Sequence, residues 1–418
     1  MILLFTAAAS AQTDVFNLNS YAGSNQTIYL DFTGHTATSV TWNNGDESKP
    51  IVTPVWSLDD APAFSAEEQA QILKIWQRVA EDFAPFNVNV TTAEPSADRL
   101  IKVNASDPNW GIRVAIGGSY EDWYGASAGD VCQLYAFGYS WDEPAFVFTD
   151  NLSNNEKNIA EAISHEVGHS FGLEHDGLGT TEYYQGANGW APIMGVGYYQ
   201  SLTQWSNGDY GSNGDYDGAT NTQDDLAFIT NPSSSFNNVG NYSGVNYDFV
   251  SYKADDYGNT FSTAVSLPLT NGVFTLEGLI EQNTDVDMFK FTLDYDALLT
   301  GNIFSGIFGD YSADTLATAG ANLDILAKLY YGVDNLLHTF DPLNTLGISF
   351  GDLSLLAGDY YLSIEGTGKA GAYSDYGSLG TYLITGTYEY LSSETPEPAT
   401  LLILGLGLAG LGLARRKK

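Results

Sequence analysis

Cysteine is almost missing from this 418-residue chain: Cys132 is the only one. One thiol excludes an intrachain disulfide and any metal site built on cysteines. It reads as a small buried hydrophobe rather than a nucleophile. Basic residues are scarce too, 15 Lys and Arg against 51 Asp and Glu, for a formal net charge of -36. Such a balance argues against a nucleic-acid partner, whose phosphates need Lys and Arg. It suits an extracellular protein, a saline habitat or bound calcium, without choosing among them. Methionines number three and histidines five, so their positions carry weight. What the chain has in quantity is apolar, with 44% hydrophobic and 13% aromatic residues, which is ample for packed cores. Its 44 glycines and 27 tyrosines fit a β-rich secreted protein.

Three of the histidines fall in one run, His165-Glu166-Val167-Gly168-His169-Ser170-Phe171-Gly172-Leu173-Glu174-His175, with Asp176 next. Ile159, Ile163 and Val167 recur at four-residue intervals, the apolar stripe of a helix. Residues four apart lie one turn apart on one face, so His165 and His169 can converge on one ion. Zinc needs their nitrogens at about 2.0–2.1 Å. Glu166, beside the first ligand, is placed to hold and deprotonate a metal-bound water. Gly172 falls where the helix should end, because glycine enters the left-handed conformation at little cost. The chain then reverses, and His175 returns as the third ligand. Three protein ligands leave a fourth position for water, the arrangement of a catalytic zinc site. Plainer readings are three surface histidines on a helix end, or a metal site without catalysis. The matching offsets of Gly172 and His175, together with Glu166, weigh against both.

With these residues the chain resembles the metzincin zinc endopeptidases, named for this extended motif and a methionine turn downstream. The turn candidate is Ala191-Pro192-Ile193-Met194-Gly195. The resemblance implies that Met194 lies beneath the metal-binding histidines, where an isolated methionine would read as a core gap-filler. Asp176 is similar to the aspartate of the adamalysin/reprolysin branch, which implies that it braces the site from behind the ligands. Some branches place a tyrosine two residues after the methionine. Here Val196 stands there, and Tyr198 and Tyr199 are out of register, so that role is not carried over.

Residues 26–32 alternate Ile28, Leu30 and Phe32 on one face and predict a strand. Ser65, with Glu68 three residues on, forms a capping box for a helix whose stripe is Ile72, Ile75, Trp76, Val79 and Phe83, stopped by Pro85. Strands are expected at 88–91, 112–116 and 145–149, then the zinc helix, with a short closing helix at 223–229. A further strand at 134–139 would form the cleft rim and pair with an extended substrate. This order implies an α+β metzincin-like catalytic domain over residues 12–232, a twisted mixed sheet above the zinc helix. The acidic stretch 207–225, with Asn207, Asp209, Asn213, Asp215, Asp217, Asp224 and Asp225, suits calcium, and equally suits a solvated turn-rich loop.

Residues 233–253 read as an Asn/Ser/Gly-rich linker. Alternating strands over 254–390 predict an all-β sandwich. Asp255-Asp256-Tyr257-Gly258-Asn259-Thr260, Asp285-Val286-Asp287-Met288-Phe289, Asn322-Leu323-Asp324 and residues 358–364 resemble bacterial pre-peptidase C-terminal domains. That resemblance implies a role in folding, substrate attachment or calcium binding beside a secreted peptidase. On their own, Asp285, Asp287 and Asp324 read as turn and strand-end residues.

The ends carry addresses. Residues 1–11 join Ile-Leu-Leu-Phe to a small-residue run ending at Ala11, the tail of a secretory signal peptide whose true start is open. In 391–418, Pro396-Glu397-Pro398 precedes an apolar run from Leu401 to Ala414 and the cluster Arg415-Arg416-Lys417-Lys418. That run is short of the roughly 20 residues that span a bilayer, and the basic cluster would stay cytoplasmic. The plain reading is a tail anchor. The tripartite pattern, however, resembles the PEP-CTERM sorting signal of Gram-negative bacteria. It implies an exosortase-type partner and membrane contact through this segment alone before processing. The chain is therefore expected to be an exported zinc-dependent endopeptidase of the cell surface or extracellular matrix, acting on protein or peptide. The alternative is a surface or biofilm-matrix adhesive protein with a non-catalytic zinc site, and a metal-dependent amidase acting on a non-peptide bond also stays open.

Overall fold

The computed structural model describes residues 13–104, 106–210, 218–230 and 250–391. The leader-like residues 1–11, most of the linker, Asn213 to Asp217 of the acidic stretch and the sorting tail lie outside them.

Strand β1 (Gln26–Asp31) leads into a hairpin of β2 (His35–Ala37) and β3 (Ile51–Thr53). Helix α1 (Ala66–Asp82) then starts at Ser65. The Ser65 hydroxyl accepts from the Glu68 N–H, and the Glu68 carboxylate returns to the Ser65 N–H. Two donors that a helix start leaves open are satisfied by that exchange. Ile72, Ile75, Trp76 and Val79 are buried along the helix.

Strands β4 (Asn89–Thr91), β5 (Trp110–Ile116), β6 (Asp130–Val131) and β7 (Ala145–Val147) join β1 in a sheet ordered β4-β1-β5-β7-β6. Every pairing is parallel except β6 with β7. All six residues of β1 are buried, not only the alternate ones. The alternation predicts a half-exposed strand, but β1 is paired on both edges in a sheet covered on both faces. The helices pack on one face, and Ala37, Ile51 and Trp42 pack on the other around Ala115 and Phe146.

Helix α2 (Glu156–Ser170) carries the first two motif histidines and is capped by Asn155, whose side chain accepts from the N–H groups of Lys157 and Asn158. A short parallel pair, β8 (Trp190–Pro192) and β9 (Leu202–Gln204), follows, and then α3 (Asp225–Thr230). Residues 134–139 do not form the expected rim strand. The N–H groups of Tyr135 and Phe137 donate to the carbonyls of His169 and Ser170, at 3.1 and 3.0 Å. A helix end leaves carbonyls unpaired, and this segment is pinned there instead of to the sheet. The antiparallel edge of the sheet is β6.

Nine strands make up the carboxyl-terminal half. They begin with β10 (Val265–Ser266), β11 (Val273–Ile280), β12 (Val286–Leu293), β13 (Ala297–Ser305) and β14 (Ile325–Tyr331). They end with β15 (Leu336–Phe340), β16 (Ile348–Leu355), β17 (Gly358–Gly366) and β18 (Gly380–Tyr390). One sheet is ordered β10-β12-β17-β14-β15 and the other β11-β18-β13-β16. Phe289, Phe291 and Ile364 of the first share a core with Ile280, Ile303 and Ile384 of the second, as in a β-sandwich. The same cluster runs on into α1 and α2, so the two halves share one continuous core. The described chain is thus mostly β, with few helices.

Candidate metal centre

One helical turn brings the His165 and His169 rings to a centroid distance of 4.7 Å. The chain leaves the helix through Gly172, whose φ of 94° lies in the left-handed region. A Cβ built there would stand 2.0 Å from the Tyr135 ring, so both conformation and space demand glycine. The turn returns His175 to within 4.8 Å of the His169 ring and 5.4 Å of the His165 ring. One nitrogen from each of the three lies within 4.8 Å of the others.

Each Nδ1 is already engaged. His165 Nδ1 meets the Ile193 carbonyl at 3.0 Å, and His169 Nδ1 the Leu173 carbonyl at 2.7 Å. His175 Nδ1 meets a Glu182 carboxylate oxygen at 2.9 Å. The two carbonyls can only accept, so Nδ1 of His165 and of His169 carries the ring proton and Nε2 of each is left to face the other rings. His169 Nε2 and His175 Nε2 stand 3.0 Å apart. A cation bound by both would fit that separation, and imidazole nitrogens are zinc donors. Burial, reinforced by the neighbouring rings, pushes His165 well below its ordinary value. His169 is lowered to about 4, chiefly by burial. Both rings stay neutral, the form that binds metal. The donor set fits zinc.

Glu166 is buried at 2% exposure, and its Oε2 has no hydrogen-bond partner. Burial first, and then the carboxyl of Asp130, push Glu166 well above its ordinary value. Asp130, on the edge strand β6, is itself raised to about 7, mainly by burial. Sequence reasoning misses Asp130 because no motif marks it; only the strand order brings it to Glu166.

Met194 is fully buried under α2. A Cβ at Gly168 would lie 2.4 Å from its sulfur, so that glycine lets the methionine turn press against the helix between the two histidines. Glycine inside a helix costs roughly 0.5–1 kcal/mol relative to alanine. The turn pattern around Met194 marks its side of this contact in the sequence, whereas hydrophobic periodicity gives no weight to Gly168.

Asp176 reaches the histidines through the same turn. Its N–H donates to the Met194 carbonyl at 2.8 Å, and the adjoining Ile193 carbonyl holds His165. Its own carboxyl is buried, raised to about 7 mainly by that burial, and leaves Oδ2 unpartnered.

The histidines open onto a cleft of about 1090 Å³ whose walls include Trp42, Tyr124, Asp130, Leu134 and Val196. Tyr183 packs over His175 at 4.2 Å between ring centroids and stands 6.2 Å from His165. Cys132 is half-buried on the cleft wall rather than inside the core. Burial raises its thiol well above the ordinary value and keeps it un-ionised.

A second convergence of ligand-type atoms lies in the sandwich, where carboxylate oxygens of Asp255, Asp285 and Asp287 are within 4.8 Å of one another. Asp287 and the nearby Glu281 are almost fully buried, with one and two unpartnered oxygens respectively. Asp324 is elsewhere, accepting from the Tyr373 hydroxyl at 2.6 Å. Among the described residues the carboxylates of the 207–225 stretch do not converge. Asn207 there turns back to the Asp209 N–H at 3.1 Å, and Asp225 accepts from the Ser206 N–H at 2.8 Å.

Residues 394–418 match the PEP-CTERM protein-sorting motif. That motif marks export and cell-surface sorting in Gram-negative bacteria through an exosortase-type system. Among the described residues no helix is long and apolar enough to cross a membrane. No curated protein matches the chain. The pre-peptidase C-terminal domain of a collagenase from Bacillus anthracis aligns at 13% identity and a TM-score of 0.20, covering 33% of this chain and 100% of that one. PliG from Aeromonas hydrophila, a periplasmic lysozyme inhibitor, aligns at 9% identity and 0.20, covering 30% and 96%. Scores of this size carry no conclusion, and the sandwich rests on its own strand pairing.

Proposed function

We propose that this chain is an exported zinc-dependent endopeptidase. Its catalytic unit is metzincin-like and spans residues 12–232. The sandwich, 254–390, is similar to a pre-peptidase C-terminal domain. One observation carries the reading: a nitrogen from each of His165, His169 and His175 converges at an open cleft whose lining includes Glu166.

His165, His169 and His175 would hold a zinc ion, which when bound would supply the Lewis acidity that acidifies water and polarises a carbonyl. Glu166 Oε2 takes the proton of the attacking water and passes it to the nitrogen of the leaving amine. Asp130 and Val131 line the cleft on the sheet's last strand, where the free edge can pair with an extended peptide. Met194 and Asp176 touch no substrate and keep the ligands in place.

Calcium enters the proposal at Asp255, Asp285 and Asp287, where hard oxygen donors converge around buried, unpartnered atoms. The sorting tail and the sandwich would equally suit a surface or matrix adhesive protein with a non-catalytic zinc site. Adhesion has no use for a partnerless Glu166 oxygen beside an open cleft, which favours the enzyme.

The test is cleavage of casein by purified protein. A chelator should abolish it and added zinc restore it, while Glu166→Ala should remain inactive with zinc present. Activity retained in Glu166→Ala would overturn the mechanism.

A further inference from the structure

We propose that the β-sandwich is part of the metal-site scaffold, with Asn322 a positioning residue for His165; this rests on the reading of the three histidines as a zinc site. Asn322 lies between β13 and β14, far in sequence from the motif, yet two hydrogen-bonded routes run from it to the same histidine.

The first route uses the side chain. Asn322 Nδ2 donates to Asp82 Oδ1 at 2.8 Å, at the last residue of α1. Ser164 Oγ donates to the other oxygen of the same carboxylate at 2.5 Å. Ser164 is fully buried on α2 and immediately precedes His165. The second route uses the main chain. Gln204 Nε2 donates to the Asn322 carbonyl at 2.5 Å. The Gln204 carbonyl accepts from the Ile193 N–H at 2.9 Å, and the Ile193 carbonyl holds His165 Nδ1 at 3.0 Å. One residue of the sandwich thus steers both the helix that bears His165 and the acceptor that sets its ring.

The surrounding contacts give this junction the character of an interior. Glu81, next to Asp82, turns into the sandwich. It accepts from the N–H groups of Ile307 and Phe308 at 2.8 and 3.2 Å, and from the Thr381 hydroxyl at 2.9 Å. Trp205 Nε1 donates to the Asp82 carbonyl at 2.9 Å. Trp76 of α1 meets Phe308 edge-on at 5.5 Å. Neighbouring residues on a helix point about 100° apart, so Glu81 and Asp82 can grip two partners at once. Buried carboxyl groups held by several partners at once fix geometry rather than merely fill space.

Partners that orient a metal-binding histidine through its second nitrogen typically affect metal affinity or activity by 10–100-fold. The full chain carries the test, with zinc affinity read by competition against a chromogenic chelator. Asn322→Ala should weaken zinc about tenfold and lower kcat while KM changes little. Ser164→Ala removes one hydroxyl and keeps the Asn322–Asp82 bond, so it reads the first route in a chain that stays folded; it should weaken zinc in the same direction. The double variant should fall short of the product of the two single effects, the mark of a shared path. Unchanged zinc affinity in Ser164→Ala, or effects that simply multiply, would overturn the proposal. Zinc bound without cleavage of any peptide would defeat the peptidase reading and leave this inference standing. Cleavage with unchanged affinities would do the reverse, and a wild-type chain that takes up no zinc would defeat both.

Discussion

Gly168 shows how little room the site leaves at a single position. A methyl group there would meet the Met194 sulfur at 2.4 Å and the Trp205 ring at 3.3 Å, both buried. Overpacking of this kind costs about 1–3 kcal/mol, against roughly 0.5–1 kcal/mol gained from alanine's better helix propensity. Gly168→Ala is therefore expected to lower stability in urea and to weaken zinc binding. A variant as stable as the parent, with unchanged affinity, would show that Met194 does not press on the helix. The histidines, Glu166 and Gly172 are legible in the sequence because their spacing is local to one helix and one turn, and Met194 is legible through the resemblance its downstream turn carries. Glu182, Asp130 and the Ile193 and Leu173 carbonyls are not. A carbonyl has no sequence signature, and Asp130 and Glu182 stand near the site only because the strand order and the loop after His175 bring them there.

The start of helix α1 is readable for a physical reason, since Ser65 and Glu68 satisfy helix-end donors within three residues, whereas α2 shows in the sequence through its Ile159, Ile163 and Val167 stripe and not through its Asn155 cap. Residues 134–139 are not readable, because their donors go to the end of α2 and no pattern within the segment reveals that partner. The acidic cluster belongs to the same scale. It joins Asp255 to the turn between β11 and β12, which carries Glu281 and Asp285, and to Asp287 at the start of β12. An ion that binds only the folded state stabilises it by about 2.7 kcal/mol at a hundredfold excess over its Kd. Calcium should raise the thermal midpoint, a calcium chelator should reverse the rise, and Asp287→Asn should remove the response. A midpoint indifferent to calcium would remove calcium from the proposal and leave the zinc chemistry untouched.

At the scale of the whole molecule, the continuous core makes the junction a term in stability. Burial raises Glu81 from 4.5 to about 7 and Asp82 from 3.8 to about 8. Between about pH 4 and pH 8 the unfolded chain has released protons that the folded chain keeps on these two groups. Their contribution is therefore fully present below about pH 4 and is lost as pH rises toward 8. The midpoint of chelator-treated protein should fall from pH 5 to pH 8, and Asp82→Asn should make that fall shallower; identical slopes would show that Asp82 does not report the junction. The sorting motif at 394–418 marks this molecule for export and the cell surface, which is where the proposed peptidase would meet its substrates. The most direct measurement is a digest of mixed peptides by wild-type protein and by Glu166→Gln, both with measured zinc content, read by mass spectrometry. The account predicts internal cuts by the wild type and none by Glu166→Gln at equal zinc. The same cuts from both proteins, or none from a zinc-loaded wild type, would contradict it.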